Sequence, residues 1–215
     1  MVFERLNVAG PNEPMTLRRF TFKKEPLEDF VRDLNAFLAE KALLHIAWSR
    51  AEEAAMVGRA KLLLSVGVSY LDRPPQEDMR AQVEIFRDLL PSRMEGRINE
   101  FLVGRRIVSV EFETIVKGIP GMQQHYDPII CVVYLSGPPR LPGQLRLKTW
   151  DILSPPEMKL HGHVCLEEEL PAFLAGLAAK GEKVQVLGTE FRSYSYTPGF
   201  HPQPQDGAVT FYLVM

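Results

Sequence analysis

Residues 81–102 read AQVEIFRDLLPSRMEGRINEFL, and the second half of this stretch decides the fold. Met94, Ile98, Phe101 and Leu102 fall at i, i+4, i+7 and i+8, which is one apolar stripe along a helix. The residues before it, Gln82 to Phe86, read as a strand. The same text stands upstream: residues 17–71 lie on residues 81–135 without a gap. Phe22 falls on Phe86, Asn35 on Asn99, Phe37 on Phe101, Leu38 on Leu102, Val68 on Val132, Tyr70 on Tyr134 and Leu71 on Leu135. Apolar positions coincide through the whole window, the mark of an internal duplication.

A third copy follows once helix and closing strand are matched separately. The stripe Phe30, Leu34, Phe37, Leu38 becomes Leu166, Leu170, Phe173, Leu174, and the ending Tyr70-Leu71 becomes Tyr212-Leu213. Each copy then consists of an opening strand, a helix and two further strands. The spacing predicts helices over Pro26 to Glu40, Ser92 to Val103 and Glu167 to Lys180. Pro26 and Pro91 suit a first helical turn, where a missing N–H loses no partner, and Gly181 suits a helix stop. The first copy's strands are Leu17 to Phe22, Leu43 to Trp48 and Leu62 to Leu71. Those of the second are Gln82 to Phe86, Ile107 to Thr114 and Ile129 to Leu135. In the third copy they are Lys159 to Val164, Val184 to Phe191 and Val209 to Val214, with Gln144 to Trp150 as an extra strand beforehand.

A helix and a sheet with one apolar side each must cover one another, and a single unit of this size is marginal alone. The expected fold is therefore α+β: three tandem β-α-β-β repeats in a pseudo-threefold arrangement, helices covering mostly antiparallel sheets. Residues 1–215 form one globular domain with repeats at 15–72, 80–136 and 144–215. The Pro-rich segments Asp72-Arg73-Pro74-Pro75, Ser136-Gly137-Pro138-Pro139 and Ser154-Pro155-Pro156 divide it.

The balance of 25 Lys plus Arg against 27 Asp plus Glu gives a net charge of −2, so no general field points to extended nucleic acid. No stretch is apolar enough for a membrane span and the N-terminal text is no secretory signal, which places the chain in the cytoplasm. Cys131 and Cys165 lie in apolar strand text and read as reduced, buried thiols. Three copies in one chain can replace a homotrimer, so a monomer is expected.

Text that differs among the copies carries the functional expectation, because shared positions are accounted for by packing. Residues 118–128 and 194–203 are read as loops rich in aromatic, imidazole and amide groups. They nominate Gln123, Gln124, His125, Tyr126, Arg192, Tyr194, Tyr196, Phe200 and His201 as ligand-binding residues. The ligand class is small and anionic or nucleotide-like, held at these loops or at clefts between repeats. Arg18-Arg19, Lys23-Lys24 and Arg105-Arg106, with Arg93 and Arg97, supply local cations for it. A protein partner is the alternative, anchored by Tyr194, Tyr196, Phe200 and Met122.

No common phosphate-binding or nucleophile signature occurs, so no catalytic residue and no cofactor is nominated. A transition metal is the remaining alternative: His161-Gly162-His163 on a strand would project both imidazoles from one face. The text His125-Tyr126-Asp127, then Val133-Tyr134-Leu135 and Gly143-Gln144-Leu145-Arg146-Leu147, resembles the iron-binding half of 2-oxoglutarate-dependent oxygenases. That resemblance would imply ferrous iron on His125, Asp127 and His161 or His163. It departs from the family in the short spacing beyond Asp127 and in the helix stripe that follows, and the repeat accounts for Tyr134-Leu135.

Overall fold

The structure, a computed structural model, describes residues 1–4, 6–22, 26–52, 62–118, 124–152, 166–196 and 203–215. Along these residues run β1 (Met15–Phe22), α1 (Leu27–Glu40), β2 (Ala42–Glu52) and β3 (Leu62–Leu71). They are followed by β4 (Ala81–Arg87), α2 (Pro91–Leu102), β5 (Arg106–Gly118) and β6 (Gln124–Leu135). The last group is β7 (Gln144–Ile152), α3 (Leu166–Ala179), β8 (Val184–Tyr196) and β9 (Gln203–Val214). The class is α+β, with three small antiparallel sheets ordered β1-β3-β2, β4-β6-β5 and β7-β9-β8. Each sheet, with the helix after its first strand, is called a unit below.

Two expectations are corrected. Gln144–Ile152 is not an extra strand: β7 is the opening strand of the third sheet, paired with β9 as β1 is with β3. The segment Lys159 to Val164, read as that opening strand, lies outside the described residues. The second correction concerns register. Tyr70, Tyr134 and Tyr212 face Thr16, Gln82 and Arg146, so the residues facing Val66, Ile130 and Ala208 are Phe20, Phe86 and Trp150. Phe20, not Phe22, therefore holds the place of Phe86. The connection into α1 is longer than that into α2, and a shift of two residues leaves every side chain on its expected face, so the hydrophobic pattern could not reveal it. Pro26 also differs slightly from expectation. It caps α1 and accepts from the Asp29 and Phe30 amides (3.0 and 3.3 Å), whereas Pro91 opens α2.

In this register each unit carries the same ring cluster. Phe37 packs on Phe20 and Tyr70 (5.0 and 4.9 Å between centroids), Phe101 on Phe86 and Tyr134 (5.3 and 5.2 Å), and Phe173 on Trp150 and Tyr212 (5.8 and 5.5 Å). The stripes Phe30, Leu34, Leu38 and Met94, Ile98, Leu102 are buried as the spacing predicts. Among the described side chains of α3 only Leu177 is buried, while Leu166, Leu170, Phe173 and Leu174 are half-buried. Gly181 ends that helix at φ +81°, its N–H bonding Ala178 O at 2.9 Å while Glu182 N reaches Leu177 O at 3.1 Å.

Consecutive units join through their sheets and through their helices. One side of the second sheet, with Val83, Ile85, Ile129, Cys131 and Val133, shares a core with α1, β2 and β3. Its other side, with Phe86, Val110, Phe112, Ile130 and Val132, shares a core with α2, β7 and β9. Cys131 is a buried free thiol, as expected, and Cys165 lies outside the described residues. The N-terminal segment crosses the first joint, Phe3 N donating to Val108 O (2.7 Å) and Asn7 Nδ2 to Leu43 O (2.9 Å). There Arg106, 2% exposed, is held by the Glu4 carboxylate and by Asp78 O at 2.7 Å. No described helix is long and apolar enough to cross a membrane.

Candidate functional site

The nominated residues divide between strands and undescribed text. Gln124, His125 and Tyr126 belong to β6, facing Gly118, Lys117 and Val116, and Tyr194 and Tyr196 belong to β8, facing Gln205 and Gln203. They are strand residues rather than loop residues, because the β5–β6 and β8–β9 hairpins run longer than the apolar text that marks them. Gln123, Met122, Phe200, His201, His161 and His163 lie outside the described residues. Arg192, half-buried on β8, crosses to the second sheet and donates to Glu113 Oε1 at 2.8 Å. Asp127, the carboxylate of the oxygenase resemblance, is buried, and its Oδ2 accepts from Arg87 Nε at 3.0 Å and Nη2 at 2.5 Å. Among the described residues no three of His, Cys, Asp and Glu are grouped to hold a metal ion.

Among the described residues the nominated cations do not form one patch, and Lys23 and Lys24 lie outside those residues. Arg18 lies over Phe20 and Phe37 (4.7 and 4.8 Å to the centroids), Arg105 over Phe101 and Tyr134 (4.1 and 5.2 Å), and Arg106 is buried in its ion pair. Guanidinium groups on ring faces cover the aromatic clusters as well as carrying charge. Two clefts lie where the first and second units meet. One, of 260 Å³, is lined by Leu6, Asn7, His45 and Val108 among others. The other, of 570 Å³, is lined by Phe22, Leu27, Ile85 and Leu89, with Arg87 and Arg97 set against Glu28, Asp88 and Asp127. Three carboxylates against two guanidinium groups leave it without the positive excess that would draw an anion.

The joints between units show the most specific chemistry. On α1, Asn35 Nδ2 donates to Val83 O (2.9 Å) while Asn35 Oδ1 accepts from Val83 N (2.7 Å). On α2, Asn99 makes the same pair with Leu147, Nδ2 to O at 2.9 Å and N to Oδ1 at 2.8 Å. A carboxamide thus saturates both backbone groups of one residue on the outer strand of the next sheet, a place where the backbone would otherwise lack a partner. Glu95 adds an ion pair across the second joint, to Lys148 Nζ at 3.1 Å, and accepts from Thr149 N (2.9 Å) and Oγ1 (2.8 Å). Sequence reading missed this role, although its signal was present: Asn35 fell on Asn99 as the one polar match in the helix.

On the first and third sheets the corresponding surfaces lie open. Facing Leu71 and Ser69, Met15 and Leu17 hold the places of Ala81 and Val83, and they are 64% and 71% exposed where Ala81 and Val83 are buried. On the third sheet Val186 and Phe191 are 40% and 54% exposed, whereas Leu43, Trp48, Ile107 and Phe112, at the same register positions of the other two sheets, are buried. On α3 the residue in the place of Asn35 and Asn99, counted from Phe37, Phe101 and Phe173, is the exposed Pro171. No protein-family model matches this chain, and neither a curated protein nor a solved structure resembles it significantly.

Proposed function

We propose that this chain is a non-catalytic interaction protein, three tandem copies of one unit of which the first and third leave open the surfaces by which the units join one another. The observation supporting this is the exposure of Met15 and Leu17 in the register where the next two sheets bury Ala81, Val83, Leu145 and Leu147 beneath a preceding helix. Isolated exposed apolar residues are common and call for no explanation; these two stand at a position the fold uses twice for docking. An outer strand with apolar side chains and outward backbone groups is a surface that partners use. A small anionic or nucleotide-like ligand, the other reading, has less support, since Glu28, Asp88 and Asp127 offset Arg87 and Arg97 in the larger cleft.

The test is a photoreactive residue introduced in the cell at position 17 and, as a control, at the exposed Asp33 of α1. A discrete covalent protein adduct is expected from position 17 and not from position 33. The absence of any protein adduct at 17 would overturn the reading.

A further inference from the structure

We infer that the surface docking on β1 is α3 of a second copy of this chain, in a head-to-tail contact built like the two internal joints. The inference rests on the interaction reading above and adds the partner. Both internal joints set a helix on the opening strand of the following unit, α1 on β4 and α2 on β7. Within one chain β1 is the opening strand with its docking position exposed, and α3 is the helix whose residue in the place of Asn35 and Asn99, Pro171, is exposed.

Charge selects the pairing. In the second joint Glu95 of α2 meets Lys148 and Thr149, and Lys148 also lies over the Trp150 and Phe173 rings (5.5 and 5.9 Å). On β1 the places of Lys148 and Thr149 are held by Arg18 and Arg19, Arg18 lying over Phe20 and Phe37 just as Lys148 lies over its own rings. On α3 the place of Glu95 is held by Glu167, followed by the exposed Glu168 and Glu169. The acidic first turn of α3 and the basic opening strand are therefore complementary in charge.

Two features make this contact weaker than the internal joints. Pro171 in the place of Asn99 cannot saturate the strand backbone. Arg19, Gly67 and Ser69 stand where the second sheet has Ile85, Cys131 and Val133, so less apolar surface is available. The association is therefore reversible and salt-sensitive. It is also heterologous, so each molecule keeps one unused end of each kind unless the assembly closes.

Sedimentation velocity of the full chain from about 5 to about 500 µM tests it. The sedimentation coefficient is expected to rise with concentration and to rise less in about 0.5 M salt. Leu17→Asp and Pro171→Arg, both at exposed positions and each bringing like charge to the contact, should melt no lower than the wild type and each stay monomeric. Mixed in equal amounts they should form a dimer and nothing larger, the α3 of one resting on the β1 of the other. Pro171→Asn should bind at least about tenfold more tightly than Pro171→Ala, because only the amide restores two hydrogen bonds to the strand. The inference falls if the wild type is monomeric throughout, if either single variant still assembles, if the mixture stays monomeric, or if Pro171→Asn is no tighter than Pro171→Ala. A wild-type monomer that still gives an adduct of another mass from position 17 would remove the second copy and leave the interaction reading standing.

Discussion

Glu111 shows how a residue can be placed at a cost to stability. It stands on β5 facing Cys131, on the side of the second sheet that shares a core with the first unit, and burial pushes its carboxyl above the ordinary range. The Met1 amino group opposes that rise, Glu190 and Glu113 add to it, and Arg192 opposes it. A carboxyl raised in the folded state holds its proton there more tightly than in the unfolded chain. Its contribution to stability is therefore greatest in acid and is lost as pH rises from the ordinary carboxyl range, about pH 4, through the raised folded value. Glu111→Gln should match the wild type at the acid end and exceed it increasingly toward neutrality, as read from melting temperatures across that span. A gap that stays constant with pH would show that the carboxyl is not perturbed in the fold.

At the scale of elements, the asparagine joints explain why α1 and α2 share one polar residue at the same position. Asn99→Ala would leave Leu147 N–H and C=O without partners at a largely buried strand, a loss of about 1 to 3 kcal/mol. Asn99→Asp keeps an acceptor for the amide but sets a carboxylate against the carbonyl, so it should recover none of that stability. Urea midpoints at unchanged m-value check both. The elements also show where the sequence was legible. The helix stripes and the Tyr-Leu endings located α1, α2, α3 and the closing strands, because burial on one face imposes a period that survives divergence. The opening strands were less legible. β7 was taken for an addition because the text between it and α3 is long, and β1 was aligned one pleat repeat away because a two-residue slip preserves the pattern of faces. The hairpin lengths were not legible either, since Gln124 to Asp127 and Tyr194 to Tyr196 pair through backbone groups that every residue carries.

For the whole molecule, the second sheet is covered on both sides and the first and third sheets on fewer, so protection should grade outward from the middle. Amide hydrogen exchange is expected to be slowest for Ile130 to Val133 of β6, with outward-facing amides of β1 and the α3 amides exchanging orders of magnitude faster. Equal protection of β1 and β6 would contradict a stack of units joined in series. The sequence by itself determined the α+β class, the three helices and the closing strands, because these depend on side-chain periodicity and on short-range spacing. Only the tertiary structure decided the strand register, the office of Asn35 and Asn99, and the exposure of Met15, Leu17, Val186 and Phe191. Each of these depends on which surface a neighbouring unit reaches, and a Leu on a strand reads the same whether a helix lies over it or solvent does. The functional reading follows that division: the nominated residues came from text that differs among the three aligned stretches, whereas the proposed docking surface is a register position buried in the second and third sheets and exposed in the first.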